Sequence, residues 1–475
     1  MDCEVHHNHH RKPPQVKSSK SEVRASFHKI PRLRFQPGQK LTSYSGLVIF
    51  QALFAKLALK DKLRRCVSSG RKHLIYGPVS SLMLVVLLLL LGFRRLRDLD
   101  DCREDPMLAR ILGLKRLPHV STVSRHLARL EPHELSELRE HCIRGPVLDR
   151  LQAEGFARVT LDFDGLVQTT SGHAEGTAVG FNRKCKGARS YYPQFCTVAQ
   201  TDQFFDMNHR PGNVHDSNGA DEFMGTCFWQ VEQRLPGVQL ESRFDSAMFN
   251  ETVFLTMVEH DVEFSCSVPF ERFPALKRMI EACEQWRTID STWSYFETSW
   301  KPKSWDDSFR LILVRKRRPV RRRGPLQLDF FVPLDHEYEY TAVATNKTTT
   351  ARNVVEFHHG RGSQEKLFGE ANQNAALNVV AGKKLTTNRA FTIMSMLAHN
   401  LSRELQMTTQ RPLRSTLPSR TAHWRFFSLR TLRQRLLHRA GKLACPQGEL
   451  TLTMNANPSV EAQLQHYLDT LTCAL

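Results

Sequence analysis

The sequence predicts a mixed α+β fold, a sheet of antiparallel and parallel strands flanked by helices. Two observations carry that prediction. Five segments after residue 155 read as strands, 156–164, 191–199, 203–209, 238–244 and 262–268, and in the first, fourth and fifth the side chains sort onto two faces with the period of two that a strand has. Two segments with helical spacing, 219–235 and 250–260, separate the third strand from the fourth and the fourth from the fifth. Short turns join the first three strands, so these pair as an antiparallel meander. The helical crossovers then add parallel strands.

The chain has 475 residues, more than one core usually serves, and its composition divides it into further regions. Residues 1–40 are basic and poor in apolar side chains, which predicts a disordered arm, with His6, His7, His9 and His10 in a solvated tail. Residues 41–150 read as helices and predict an N-terminal DNA-binding domain. Within them Leu82 to Leu91 is an unbroken apolar run. It is too short for a bilayer, which needs about 20 residues, so a buried core helix is expected. Residues 118–127 fit either the second helix of a helix-turn-helix, carrying Ser124, Arg125 and Arg129, or part of an ordinary helical bundle. The sheet with its helices occupies 151–270 and 351–408. Between them, 271–350 holds Trp286, Trp293, Trp300 and Trp305 and strand-like runs at 309–315, 328–333 and 338–345, an inserted β-subdomain. Residues 409–475 are basic again and end in a short strand at 449–454 and a helix from Ser459.

Lys and Arg number 67 against 48 Asp and Glu, a net charge of +19 that suits a polyanionic partner, nucleic acid first. Part of the excess lies between Arg315 and Gly324, where like charges cannot pack together. Arg317, Arg318, Arg321, Arg322 and Arg323 therefore face either DNA phosphate or solvent. Eleven cysteines without a Cys-x-x-Cys pair argue against a zinc ribbon and a disulfide framework, and for a reducing compartment. The first forty residues are too polar for a signal peptide, and no membrane partner is expected.

Asp162 and Asp164 share one face of the first strand, just before Gly165. Carboxylates that close repel each other unless a cation offsets them or water solvates them. The strand order itself is that of the ribonuclease H-like fold. That fold draws its acids from the first strand, the end of the fourth strand and a later helix. Asp245 ends the fourth strand, and Glu365 opens the helix after the insertion. Asp245, Glu365 and one acid of the first strand are thus the expected catalytic and metal-binding set; the pleat does not choose between Asp164 and Asp162. Hard oxygen ligands at such a site suit Mg²⁺. Two such ions activate a water or a 3′-hydroxyl and stabilise the leaving oxygen. Arg361, about one helical turn before Glu365, is placed to neutralise a phosphate. His358 and Asn372 share its face if the helix is unbroken, and Gly360 and Gly362 weaken its first part.

The chain resembles the DDE transposases of bacterial insertion sequences, the kind with a β-rich insertion before the glutamate. The matching stretches are Leu161-Asp-Phe-Asp-Gly165, Tyr192-Pro193, Arg210-Pro-Gly-Asn213, Arg243-Phe-Asp-Ser246, Thr345-Asn346, and Arg361-x-x-x-Glu365 with Ala398-His-Asn-Leu401. In the family's glutamate signature a tyrosine stands where His358 is and a lysine where Asn372 is, both phosphate-contacting groups. In that family the first acid often precedes a small residue, as Asp164 precedes Gly165, so the resemblance favours Asp164, with Asp162 as the alternative. The resemblance implies DNA contacts at Arg361, His358, Asn372, Arg243 and Arg210. It implies a cut-and-paste enzyme acting on terminal inverted repeats and target DNA as a homodimer. Its cofactor would be Mg²⁺, with Mn²⁺ as a substitute, and its place the bacterial cytoplasm, at the nucleoid. Trp293, Trp300 or Trp305 either stacks on a flipped base or packs in the core. Two other readings use the same acids: a nuclease that hydrolyses without strand transfer, and an inactive DNA-binding relic.

Overall fold

The computed structural model describes residues 30, 32–34, 38–67, 75–318, 338–413 and 417–472. The chain splits at Lys40, and the second unit, Leu41–Leu475, carries the fold. The arm expected over 1–40 falls almost wholly outside the described residues. So do the strand expected at 328–333 and Arg321, Arg322 and Arg323.

The main sheet contains β1 (Arg158–Gly165), β2 (Gln194–Val198), β3 (Gln203–Asn208), β4 (Gln239–Phe244), β5 (Glu263–Ser267), β6 (Arg287–Thr288), β7 (Trp293–Trp300), β8 (Phe309–Arg317) and β9 (Tyr338–Thr345). Their order across the sheet is β6-β7-β8-β9-β5-β4-β1-β2-β3. β2 runs antiparallel to β1 and β3, while β4 runs parallel to β1 and to β5. This is the expected ribonuclease H-like order. Parallel neighbours require crossovers, and helices Ala220–Arg234 and Glu251–Glu259 supply them.

The insertion continues this sheet. β9 pairs antiparallel with β5, with Val343 opposite Ser267 and Thr345 opposite Ser265. β7 has no counterpart among the strand-like runs of the sequence. Its Trp293 and Tyr295 point to one face and its Phe296 and Trp300 to the other, so no apolar alternation marks it.

The helices that matter for the site are α1 (Pro78–Leu91), α2 (Val120–Ala128), α3 (Ala351–His359), α4 (Gly362–Asn374) and α5 (Leu385–Thr409). Proline opens α1, a left-handed Gly92 closes it, and Ser81 through Leu91 are buried. Arg433 caps its end, donating Nε to the Leu90 carbonyl and Nη2 to the Leu89 carbonyl, both at 2.6 Å. The apolar run is the core helix its length suggested. Among the described residues no helix is long and apolar enough to cross a membrane. α2 packs between α1 and α5, with its His126 Nδ1 2.7 Å from Ser81 Oγ. It is part of a bundle, the second of the two readings of 118–127.

Two apolar layers cover the two faces of the sheet. Phe195 and Phe204 point into a layer shared by α1, α2, α5 and the C-terminal helix Pro458–Thr472. Cys196 and Phe205, one residue on in each strand, point into the layer under the two crossover helices. The N-terminal helices and the C-terminal region therefore share one core with α5.

Candidate active site

β1 and β4 lie parallel with Asp162 in register with Arg243. An Asp-x-Asp on one strand thus faces an Arg-x-Asp on the next. The inner pair neutralises itself: Arg243 donates Nε to Asp162 Oδ1 and Nη2 to Asp162 Oδ2, both at 2.6 Å. The outer pair, Asp164 and Asp245, brings two negative charges to the ends of adjacent strands.

Arg361 answers that charge. It sits in the tight link between α3 and α4, where the helix breaks at Gly360. Its Nη1 donates to Asp164 Oδ2 at 3.0 Å, and its Nη2 donates to Glu365 Oε1 at 3.4 Å. One guanidinium therefore touches the first and the third acid. Glu365 is exposed in the first turn of α4, where the helix dipole favours a carboxylate. Asp245 turns one oxygen inward, accepting the Ala247 N–H at 3.0 Å. Burial pushes the Asp164 carboxyl up to about 7, against the pull of Arg361. The charges of Asp245 and Asp216 push the same way as burial.

Asp216 is a fourth acid at this site that sequence reasoning missed. Tyr192 donates its hydroxyl to Asp216 Oδ2 at 2.7 Å, and Arg210 reaches Oδ1 at 3.4 Å. Gly165 admits this pair beside β1. A Cβ at Gly165 would lie 2.6 Å from Asp216 Oδ1 and 2.7 Å from the Tyr192 ring. The two motifs that flank it, Tyr192-Pro193 and Arg210-Pro-Gly-Asn213, were the available signal. Asp216 itself lies in a loop with no periodicity to assign it a face.

Several residues expected at DNA phosphate face protein instead. Arg243 is fully buried and also donates Nη1 to the carbonyls of Phe357 and Ser419, at 3.0 and 2.6 Å. Arg210 is buried and directs Nη1 to the carbonyls of His215 and Asn218, at 3.0 and 2.9 Å. The His358 ring lies between Ser265 Oγ, 3.0 Å from Nδ1, and Ser267 Oγ, 2.8 Å from Nε2. Burial lowers its pKa to about 3, so the ring is neutral. Asn372 is half-buried near the end of α4, where its carbonyl accepts from Arg94. Arg317 and Arg318 are exposed at the end of β8. Among the tryptophans, Trp305 is buried and stacks on Phe249 at 4.7 Å, and Trp300 meets Phe273 edge-on at 5.0 Å. Trp293 is half-buried beside His359.

Among the described residues no three His, Cys, Asp or Glu side chains close together as a set of metal ligands. Arg361 bridges Asp164 and Glu365 in that arrangement. The donor chemistry nonetheless fits a hard divalent cation. Carboxylate oxygens of Asp164 and Asp245 stand at the ends of adjacent strands, with Glu365 reached by the same Arg361 guanidinium, and hard oxygen donors of this kind suit such an ion.

A mixed sheet of this order, with acids at the ends of its two central parallel strands, defines a ribonuclease H-like scaffold. The chain belongs to the family described as transposase DDE domain group 1, whose profile matches residues 24–474. Among solved structures, the piggyBac transposase synaptic complex with hairpin DNA is 10% identical. The match covers 83% of this chain and 80% of that one, with a TM-score of 0.40. The Mos1 transposase paired-end complex with left transposon end is 16% identical, over 42% of this chain and 60% of that one, with a TM-score of 0.16. Among curated proteins, none matches the chain.

Proposed function

We propose that the chain is a transposase that binds the terminal inverted repeats of its own element. It cleaves DNA there and joins the freed 3′-hydroxyl to target DNA. Asp164, Asp245 and Glu365 would hold two Mg²⁺ ions, with Mn²⁺ as a substitute. The observation that carries this reading is the single Arg361 guanidinium that touches Asp164 and Glu365 while the charge of Asp245 acts on the same Asp164 carboxyl. The bidentate grip of Arg243 on Asp162 favours Asp164 as the first acid.

When bound, the ions supply charge neutralisation at the scissile phosphate and activation of a water or a 3′-hydroxyl. Arg361, released from the acids, pairs with a phosphate of the DNA. Asp216, held by Tyr192, adds negative charge behind Asp164. The net charge of +19 suits a DNA partner. Pairing of two element ends calls for a homodimer, acting on nucleoid DNA in a bacterial cytoplasm.

The test incubates the protein with Mg²⁺, a labelled duplex carrying one element end, and target DNA. Cleavage and strand transfer are expected. Asp164→Asn, Asp245→Asn and Glu365→Gln should each slow cleavage by about 10²–10³-fold, the loss seen when one preorganised electrostatic contact to a reacting centre is removed. Cleavage by Asp245→Asn at the wild-type rate overturns the assignment. Cleavage with no strand transfer points to the nuclease reading.

A further inference from the structure

A cleft of about 570 Å³ opens between the segment that follows α1 and the loop that follows β1. Arg94, Arg95, Arg97 and Ser124 of α2 line it from one side, and Thr170 and Ser171 from the other. Among the described residues, no acidic side chain lines it. Arg95 and Arg97 are exposed. Of the neighbouring acids, Asp98 directs its carboxylate to the backbone N–H groups of Arg94 and Arg95, at 3.0 and 2.9 Å, and the exposed Asp100 and Asp101 lie outside the cleft lining. Arg94 is fixed. It donates Nη1 to the carbonyls of Asn372 and Gln373, at 2.7 and 3.0 Å, and Nη2 to Asn378 Oδ1 at 2.9 Å. Asn372 and Gln373 close α4, the helix that Glu365 opens. Exposed guanidinium groups beside hydroxyl donors, with no acid among them, suit phosphate oxygens.

We infer that this cleft holds the sugar–phosphate backbone of DNA flanking the reacting phosphate, a contact that supplies affinity rather than sequence. The inference rests on DNA being the substrate, as proposed. Glu365 and Asn372 lie on one helix, about 10 Å apart along its axis at the α-helical rise. That is roughly three base-pair steps of about 3.4 Å. Arg94 ties the cleft to the Asn372 end of the helix, so α4 carries Glu365 near its start and borders the cleft near its end.

The test titrates the full-length protein with a duplex carrying the element end and with a scrambled duplex, between about 50 and 200 mM salt. Each phosphate contact contributes about 0.9 to the slope of log K against log salt. R95A/R97A should shallow that slope by about 2 on both duplexes, and Arg97→Gln, the milder change, by about 1. R64A/R65A removes the same charge from exposed positions outside the cleft and should keep the wild-type slope. An unchanged slope in R95A/R97A, while the wild type binds, overturns the cleft and leaves the transposase reading standing. An equal loss in R64A/R65A overturns the cleft as well, because charge rather than place would then account for binding. Failure of the wild type to bind either duplex overturns the transposase reading and the cleft with it.

Discussion

Arg243 and Asp162 meet as a bidentate ion pair in the middle of the sheet, with Asp162 only 1% exposed and Arg243 not at all. A buried charge left alone costs far more than a buried pair, and breaking such a pair typically costs about 3–5 kcal/mol. Arg243→Ala should therefore lower the free energy of unfolding by about 3–5 kcal/mol. Asp162→Leu combined with Arg243→Met should recover most of that loss. Denaturant unfolding of the three proteins checks this. A single variant within about 1 kcal/mol of wild type would remove the structural role claimed for the pair.

Arg361 competes with any cation for the same carboxylates, since it already touches Asp164 and Glu365. Arg361→Ala should therefore bind Mn²⁺ more tightly than wild type when DNA is absent. It should nevertheless cleave more slowly, because the phosphate partner is gone. Calorimetric titration of metal into DNA-free protein, set beside cleavage rates, separates the two effects. Weaker metal binding in the variant would mean that Arg361 orients the acids rather than occupying them.

The sheet order was legible because the apolar runs of β1 to β5 are joined either by short turns or by amphipathic helices, although β2 and β3 bury both of their faces. β7 was not, because its aromatic residues fall on both faces. Asp164, Asp245 and Glu365 were legible by position in that order, whereas Asp216 depends on a loop whose path only tertiary packing decides. The partners of the cations were the least legible feature. Lys347, Arg158 and Arg420 surround the buried Glu241 carboxylate, so a basic residue from the C-terminal region works inside the fold. A sequence shows that an arginine is charged. It does not show which carboxylate lies within 3 Å of it.

Burial holds the Asp164 carboxyl at about 7, well above the ordinary value of 3.8. Between those values the folded protein keeps a proton that the unfolded chain has released. The native-state advantage is full below about pH 4 and is lost by about pH 7. Metal-free wild type should therefore lose stability relative to Asp164→Asn as pH rises through that window, by at most about 1.4 kcal/mol per pH unit. Denaturant midpoints of both proteins across the window, with chelator and then with excess Mn²⁺, read this out. Divalent cation should flatten the difference, because it favours the ionised carboxylate. Parallel pH profiles for the two proteins would show that Asp164 titrates alike in the folded and unfolded states.

Gly165 ends β1 where the Tyr192–Asp216 pair closes over it, and a methyl group there would meet Asp216 Oδ1 at 2.6 Å. The Tyr192 ring cannot easily yield, because its hydroxyl is bonded to Asp216 and Arg210 lies over its face at 5.8 Å. Something must shift, and overpacking of this kind costs about 1–3 kcal/mol. Gly165→Ala should therefore melt earlier and cleave more slowly, since the group displaced adjoins Asp164. The share of DNA binding that draws on Arg95 and Arg97, in a cleft that Gly165 does not line, should change little. Asp216→Asn keeps the shape and removes the charge, so it should slow cleavage without the loss of stability. Wild-type melting and cleavage in Gly165→Ala would show that the Tyr192–Asp216 pair does not press on the end of β1.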